Sequence, residues 1–176
     1  MTKIVIKKKI KSFNKIISVD SDKSLSIRSL LIGSQSYGLC KIKNLSKSGD
    51  ILSTISGLRK LGVKIFFKNK ICYLYGNGLS GFNYKKNILI NAGNSGTFAR
   101  LLLGLIIKTP NKIKLVGDNS LSKRDFKRVA DPLKEFGAKF ELRNKNNLPL
   151  KVIGSEYLKP INYFEKRGSA QCKSSV

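Results

Sequence analysis

Three segments of the sequence place a basic side chain within about one helical turn of a small residue that could begin a helix. The first reads DKSLSIR and contains Lys23, Ser24 and Arg28. The second is NAGNSGTFAR at 91–100, and the third is GSAQCKS at 168–174. Backbone N–H groups at a helix start lack partners and carry partial positive charge, so a nearby Lys or Arg favours phosphate or carboxylate binding. These segments are therefore candidate anion sites, with capped surface helices and solvated basic side chains as the alternative.

The second segment is rich in small side chains. Gly96 would let a ligand approach the backbone because no side chain intervenes. Asn94 and Thr97 could bond the ligand or cap the helix, and Arg100 follows one turn later, where it could face the ligand or brace the helix start from inside. The alternative is a tightly packed buried helix whose glycine serves packing only.

Further polar side chains come from the third segment and from a fourth, SLSKRDFKRV. The third offers Ser169, Gln171 and Lys173, which an ordinary N-terminal cap would also explain. The fourth places Arg124 at the predicted start of a helix, where a solvated charge run is the alternative. If the pseudo-equivalent helix starts pack with rough threefold symmetry, their cations converge on one polyanionic ligand. Such cations repel one another without a ligand, so Lys23→Met should slightly raise the melting temperature of the free protein.

The charge balance is strongly basic, with 35 basic and 10 acidic residues and a formal net charge of +25. This balance first suggests a nucleic-acid partner. However, the basic residues are mostly Lys, are scattered along the chain, and are dense only in KIVIKKKIK near its start. No RNP-like aromatic pattern, zinc-finger spacing or helix-turn-helix signature accompanies them. We therefore expect no nucleic-acid partner, and expect the charge to steer small anionic substrates to the protein.

Histidine is absent, and the three cysteines, Cys40, Cys72 and Cys172, lie far apart. The sequence therefore argues against a zinc site and against a Ser-His or Cys-His catalytic pair, and we predict no metal. Free thiols are typical of a reducing cytosol. The longest apolar run, 101–107, is far too short to span a bilayer, and the first residues lack the apolar core of a signal peptide. We expect a cytoplasmic protein that does not bind membranes.

Two internal repeats indicate a duplicated architecture. LRKLGVKI at 58–65 matches LKEFGAKF at 133–140, and SLSIRSLLIG at 24–33 resembles SGTFARLLLG at 95–104. The spacing of apolar residues predicts helices, and alternating strands follow them. The repeated unit is strand, helix, strand, helix, strand, strand, and a third unit begins at 159–164. A period of about 70–75 residues is too long for a simple solenoid, so we predict an α/β (α+β) fold of units packed around shared helices.

Local signals mark where the predicted helices begin and end. Ser24, Ser95 and Ser169 are predicted N-caps, and Gly62 and Gly137 are predicted C-cap glycines.

The predicted organisation is an N-terminal basic segment at 1–14, a first unit at 15–80, a second at 81–155, and the start of a third at 156–176. Because the last residues lie just inside a helix start, we expect a fragment cut in its third unit.

Four segments carry a resemblance to a known family. DKSLSIR, NAGNSGTFARLLLG, GDNSLSKRDFKRVADPLKEFGA and KPINYFEKRGSAQCKSSV occur in the order and spacing of the 5-enolpyruvylshikimate-3-phosphate synthases, which the chain resembles from about residue 14 onward. As a set they are specific, since the related UDP-N-acetylglucosamine enolpyruvyl transferases share the fold but lack the first and last patterns. The resemblance implies the inside-out α/β barrel of βαβαββ units, with two units complete here and a third begun.

The resemblance also implies an activity. The family transfers the carboxyvinyl group of phosphoenolpyruvate to the 5-hydroxyl of shikimate 3-phosphate and releases phosphate, on the route to chorismate and aromatic amino acids. It needs no metal and no organic cofactor, and a monomer is expected. Its acid–base carboxylates lie in the second domain, so the catalytic residues are unknown here and this fragment should be inactive alone. A basic nucleic-acid-binding module and a noncatalytic descendant are the alternatives.

Each substrate is implied to contact a particular set of residues. Shikimate 3-phosphate is implied to contact Lys23, Ser24, Arg28, Ser169, Ala170 and Gln171. Phosphoenolpyruvate is implied to contact Lys23, Asn94, Gly96, Arg124 and Gln171. Residues in possible supporting roles are Thr97, Arg100 and Lys173. Both substrates are multiply charged anions, so each needs Lys and Arg to replace lost water.

The sequence departs from the family pattern at a few positions. Asp20 and Ser21 stand where Pro-Gly is usual, Ile27 replaces a histidine or asparagine, and Asp125 replaces a proline. None of these changes removes a cation, so the residue assignments are kept.

Overall fold

Six helices and seven strands form the regular structure of the residues that a computed structural model describes, namely 20–79, 81–84, 87–165 and 168–176. In chain order these are α1 (Lys23–Ser34), β1 (Tyr37–Ile42), α2 (Gly49–Lys60), β2 (Lys64–Lys68), β3 (Ile71–Asn77), β4 (Ile88–Asn91), α3 (Gly96–Ile106), β5 (Ile113–Val116), α4 (Asn119–Ser122), α5 (Lys127–Glu135), β6 (Lys139–Arg143), β7 (Asn147–Ile153) and α6 (Ala170–Ser175). The predicted N-terminal basic segment and the strand predicted ahead of α1 lie outside the described residues.

The two sheets repeat one strand order. The first has the order β1-β3-β2 and is antiparallel, with Leu74 between Cys40 and Ile65. The second has the order β4-β5-β7-β6, in which β4 runs parallel to β5 and the other pairs are antiparallel. Without β4, the order β5-β7-β6 repeats β1-β3-β2. The duplicated topology expected from the sequence is therefore confirmed for these elements, whereas the exact unit boundaries remain predictions.

The helices share one core, and the sheets cover it. Helix α3 is the central element, since it contacts α1, α5 and α6 and its Phe98, Leu102 and Leu103 have no exposed surface. In β3, Cys72 and Leu74 are buried towards the helices, whereas the alternate side chains face outward. Apolar residues around the whole circumference of a helix are typical of a helix enclosed by others, which agrees with the inside-out arrangement.

The predicted helix ends are confirmed at Gly62, which has a φ of +87°. The N–H of Gly62 donates to the Arg59 carbonyl, and that of Val63 donates to the Leu58 carbonyl, both at 3.0 Å. These two hydrogen bonds satisfy carbonyls at the end of α2 that would otherwise be free. They require a residue in the left-handed conformation, which glycine adopts without strain. Gly137 ends α5, with a φ of +108° and an N–H that donates to the Lys134 carbonyl at 2.9 Å.

The prediction that Ser24 caps α1 is wrong. The cap is Asp22, whose Oδ1 accepts a hydrogen bond from the N–H of Leu25 at 2.6 Å. Aspartate caps helices as well as serine does, and the earlier start makes Lys23 the first helical residue. The other two predicted caps, Ser95 and Ser169, are confirmed, because their hydroxyls accept from backbone N–H groups three residues later.

The position predicted for Arg124 also needs correction. This residue follows the short helix α4 and precedes α5, which begins at Lys127. The side chain of Asp125 accepts a hydrogen bond from the N–H of Lys127 at 2.8 Å. Asp125 thus favours a turn ahead of α5, and this turn carries Arg124.

Two findings bear on the classes of protein considered from the sequence. Within the described ranges, no helix combines the length and apolar character needed to cross a bilayer. The same ranges contain no group of three or more His, Cys, Asp or Glu side chains placed to hold a metal ion.

The packing of α3 against α6 depends on Gly104. A methyl group there would overlap the backbone carbonyl of Ser175. A backbone carbonyl cannot rotate away as a flexible side chain can. We therefore expect Gly104→Ala to lower the free energy of unfolding by about 1–3 kcal/mol, the usual cost of overpacking. Gly33 in α1 is a matched control, since its methyl group would meet Leu74 and Cys40 at ordinary distances of 3.6 and 3.7 Å. Urea unfolding of both variants checks this, and an equal loss in Gly33→Ala would contradict it.

Candidate functional site

The start of α3 is shaped by the turn that joins it to β4. The Asn91 side chain accepts a hydrogen bond from the N–H of Gly93, which has a φ of +56°. Ser95 then caps the helix through a bond from the N–H of Phe98 at 3.3 Å. Gly96 is the first helical residue and is buried. The small residues of this segment therefore do serve a tight, buried turn, and at Gly96 the segment itself places no side chain over the backbone.

Two guanidinium groups approach the backbone of Gly96. The point that a methyl group on Gly96 would occupy lies 3.1 Å from an Nη1 of Arg124 and 3.2 Å from Nη1 of Arg100. Arg124 is exposed, whereas Arg100 is only 4% exposed. Two positive groups therefore converge on the partial positive charge of a helix N-terminus. An anion bound there would offset the repulsion among them.

Arg100 is held from several sides. Its Nη1 donates to Oε1 of Gln171 at 2.7 Å, and its Nη2 donates to the backbone carbonyl of Asp125 at 3.2 Å. The guanidinium lies over the ring of Phe126, 5.1 Å from the ring centre. Burial, followed by the charges of Arg128 and Arg124, lowers the pKa of Arg100 to about 10. Arg100 is therefore still a cation at neutral pH, although its charge is poorly solvated.

Hydrogen bonds connect the other predicted residues of this cluster. The Nη2 of Arg124 donates to Oδ1 of Asn94 at 3.4 Å, and Nε2 of Gln171 donates to Oγ1 of Thr97 at 3.1 Å. The structure thus joins six predicted residues through direct contacts, and we call them the α3-start cluster: Asn94, Gly96, Thr97, Arg100, Arg124 and Gln171.

The residues predicted on α1 form a second group. Arg28 donates from Nη1 to the hydroxyl of Ser174 in α6 at 3.0 Å. Lys23 forms an ion pair with Asp50 at 3.1 Å, and the Asp50 side chain is 18% exposed. Within the described chain, the charged partner of Lys23 is therefore a carboxylate of α2 and not a member of the α3-start cluster.

Helix α6 links the two groups. Gln171 contacts Arg100 of α3, and Ser174, one turn later, contacts Arg28 of α1. The other predicted residues of this region are less engaged: Ala170 and Lys173 are exposed, and Ser24 is half-buried.

The mapped cavities do not coincide with the α3-start cluster. A mostly apolar cavity of about 220 Å³ lies between α1, α3 and α6, with Arg28, Leu101 and Ser174 in its lining. A surface depression of about 540 Å³ includes Ser169 and Lys173. Gly96 and Arg124 line neither, so the converging charges, and not an enclosed shape, mark the candidate site.

Sequence reasoning missed Asp50 and Ser174. Asp50 lies in the first turn of α2, where a carboxylate is favourable in any helix. Ser174 lies 146 residues from Arg28. Neither contact has a local signal, because each depends on how the helices pack. Asp22 is a good cap by type, but Ser24 two residues later is an equally good one, so residue type alone does not select it.

Comparisons with known proteins agree on one family. The family model described as EPSP synthase (3-phosphoshikimate 1-carboxyvinyltransferase) matches residues 7–176. The chain is 41% identical over 170 residues to the 3-phosphoshikimate 1-carboxyvinyltransferase of Sulfurihydrogenibium sp. (strain YO3AOP1), covering 96% of this chain and 39% of that protein. It is 43% identical over 169 residues to the enzyme of the same name from Oenococcus oeni (strain ATCC BAA-331 / PSU-1), covering 96% and 38%.

Solved structures support the same conclusion. An EPSP synthase from Acinetobacter baumannii superposes with a TM-score of 0.84 at 34% identity, covering 91% of this chain and 37% of that chain. The chain thus spans about two fifths of the length of the curated relatives, 39% and 38% in the two cases above. With nearly its whole length matched by the family model and by these relatives, the chain belongs to the EPSP synthase family.

Proposed function

We propose that this chain supplies the phosphoenolpyruvate-binding and shikimate 3-phosphate-binding half of a 3-phosphoshikimate 1-carboxyvinyltransferase. In the proposed reaction the 5-hydroxyl of shikimate 3-phosphate forms a bond to the central carbon of phosphoenolpyruvate, and phosphate leaves. The hydroxyl loses its proton and the methylene carbon of phosphoenolpyruvate gains one; this carbon then loses a proton as phosphate leaves, which restores the double bond. These transfers need acid–base groups, which the family resemblance puts outside these residues. The observation that carries the proposal is the approach of Arg124 and Arg100 to one point above Gly96.

The two groups of residues fit the two proposed ligands. The α3-start cluster offers two guanidiniums, an amide and the N-terminus of α3 to phosphoenolpyruvate. Lys23, Ser24 and Arg28, with Ser169 and Ala170 of α6, are proposed to hold shikimate 3-phosphate. Because α6 contacts both α1 and α3, it would keep the two anions beside each other, and positioned cations would offset their repulsion.

We further infer a monomeric cytoplasmic protein that uses no metal, organic cofactor or nucleic acid. The family assignment supports the activity, and the dispersed lysines do not suggest a nucleic-acid surface. A noncatalytic descendant is the second candidate, since Asp20, Ser21, Ile27 and Asp125 depart from the usual pattern.

Ligand binding tests the proposal directly. Isothermal titration of the chain with shikimate 3-phosphate, and with phosphoenolpyruvate in its presence, should give saturable one-to-one binding. A single-stranded oligonucleotide should bind only weakly and lose its affinity at moderate salt, as charge alone predicts. Absence of saturable binding of either substrate, together with salt-resistant oligonucleotide binding, would overturn the proposal.

Gly96→Ala tests which ligand lies at the start of α3. The added methyl group would sit 3.1 Å from a nitrogen of the exposed Arg124, which can shift, and 3.2 Å from a nitrogen of the buried Arg100, which needs to yield by only a few tenths of an ångström. We therefore expect the free energy of unfolding to change by less than about 1 kcal/mol. Phosphoenolpyruvate and its competitor glyphosate should bind at least about tenfold more weakly, a loss of roughly 1.4 kcal/mol. Shikimate 3-phosphate affinity should hardly change, and an equal loss for all ligands in titration calorimetry would make Gly96 a packing residue.

A further inference from the structure

The side-chain amide of Gln171 is bonded at both ends by α3. Its Oε1 accepts from Arg100 Nη1 at 2.7 Å, and its Nε2 donates to Thr97 Oγ1 at 3.1 Å. The amide itself comes from α6, and so it reaches across the contact between two helices. Both of its polar atoms are therefore positioned by residues from a different part of the chain.

Arg100 alone can set which way this amide faces. A guanidinium has only donors, so Gln171 must turn its oxygen towards Arg100 and its NH2 group away from it. The Thr97 hydroxyl can donate or accept and would tolerate either orientation. In the observed orientation Thr97 takes one N–H of Gln171, and among the described residues the second N–H has no hydrogen-bond partner, so it is available to a ligand.

Arg100 is well fixed for this task. It is 4% exposed, it is bonded to the carbonyl of Asp125, and it lies over the ring of Phe126. Its Nη1, which bonds to Gln171, is also the nitrogen 3.2 Å from the methyl position of Gly96. The oriented amide and the start of α3 therefore share one guanidinium.

We propose that Arg100 is a positioning residue that holds the Gln171 amide with its N–H facing the phosphoenolpyruvate subsite. This inference rests on the proposed function, since it assumes that the anion binds at the α3-start cluster. A carboxylate or phosphate offers only acceptors, so it is attracted by an amide N–H and repelled by an amide oxygen. If the Gln171 amide could rotate by 180°, one of its two orientations would turn its oxygen towards the ligand and repel it.

A double-mutant cycle separates this role from direct attraction by the Arg100 charge. We expect Arg100→Met to weaken phosphoenolpyruvate binding at least about tenfold, as for loss of a charged hydrogen bond, and to change shikimate 3-phosphate affinity less than twofold. In a Gln171→Ala background, the same Arg100→Met change should cost at least about threefold less affinity than in the wild-type background, and the loss that remains is the direct attraction of the Arg100 charge. Arg100→Lys, which is also a donor-only cation, should recover part of the lost affinity.

Arg128→Met is the matched control for the loss of one positive charge. Arg128 is a half-buried arginine whose charge acts on Arg100, but Gln171 is not among its bonded partners in the described chain. We expect this variant to retain phosphoenolpyruvate affinity within about threefold, as for a change outside the site. Equal losses in Arg128→Met and Arg100→Met, or an undiminished effect of Arg100→Met without Gln171, would overturn the inference.

Side-chain amide NMR tests the orientation without any ligand. In the free chain, the two Nε2 protons of Gln171 should have shifts displaced from those of an unrestrained glutamine and should exchange slowly with water, and in Arg100→Met they should move to the values of an unrestrained glutamine. Unchanged amide signals would overturn the inference whatever the binding results. If the wild-type chain binds neither substrate, the proposed function fails and with it the ligand-facing role, while the amide signals still report whether Arg100 orients Gln171.

Discussion

Replacing Arg124 by methionine should remove most of the phosphoenolpyruvate affinity and leave the stability of the fold nearly unchanged. Arg124 is exposed, and among the described residues its side chain makes one long hydrogen bond, at 3.4 Å to Asn94. Its backbone carbonyl accepts from Asn147, and that bond survives any substitution. We therefore expect the free energy of unfolding to change by less than about 0.5 kcal/mol. The affinity should fall about tenfold to a hundredfold, because a hydrogen bond to a charged group contributes about 1.5–3 kcal/mol.

Arg143→Met is the control for this experiment. Arg143 is also exposed, and its Nη2 lies 3.5 Å from the carbonyl of Ser122, two residues before Arg124. The two variants lose the same charge in the same neighbourhood, but only Arg124 reaches Gly96. Titration calorimetry and urea unfolding measure both quantities. Equal losses of affinity in the two variants would show that net charge, and not a site, attracts the ligand.

Replacing Lys23 by methionine should abolish most of the stabilisation that shikimate 3-phosphate gives to the fold. A bound ligand stabilises the folded state by about 2.7 kcal/mol at a hundredfold excess over its dissociation constant. The sequence suggested that the free variant would melt slightly higher. The ion pair with Asp50 reverses that expectation, because the variant leaves a carboxylate that is only 18% exposed without its partner. The free variant should therefore melt lower, by the equivalent of about 1 kcal/mol or less.

Asp50→Asn is the matched control for Lys23→Met. It removes the same ion pair but leaves Lys23 available to the ligand, so its ligand-induced rise in melting temperature should equal or exceed that of the wild type. Thermal melting of both variants, with and without shikimate 3-phosphate, decides between the two roles of Lys23. If shikimate 3-phosphate still raises the melting temperature of Lys23→Met by the same amount, Lys23 has a purely structural role.

The parts of the fold that could be predicted are those set by neighbouring residues. Gly62 and Gly137 were recognisable as helix ends, because a left-handed residue after an apolar helical pattern favours glycine. Ser95 and Ser169 were recognisable as caps for a similar local reason. At α1 two good caps, Asp22 and Ser24, lie two residues apart, and local preference cannot choose between them. The packing of α1 selects Asp22 as the cap, and the residues that determine this packing are spread over the chain.

The candidate site was less predictable because its contacts are long-range. Residue types suggested an anion site, but the bond between Arg100 and Gln171 joins positions 71 residues apart. The sequence left open whether Arg100 faces the ligand or braces the helix start. In the structure its guanidinium bonds to Gln171 and to the carbonyl of Asp125, with its Nη1 also close to Gly96. The pairing of Lys23 with Asp50 had no local signal at all.

The central position of α3 has a consequence for how the α3-start cluster moves. The backbone of an enclosed helix changes its position only in large, rare openings of the domain, whereas exposed turns move through small local openings. Gly96, Thr97 and Arg100 belong to the enclosed helix, and Arg124 belongs to an exposed turn. The part of the cluster on α3 therefore keeps its shape for as long as the protein stays folded. Arg124, in the exposed turn, can fluctuate on fast timescales. An incoming anion would meet a rigid helix start and then bind a mobile arginine.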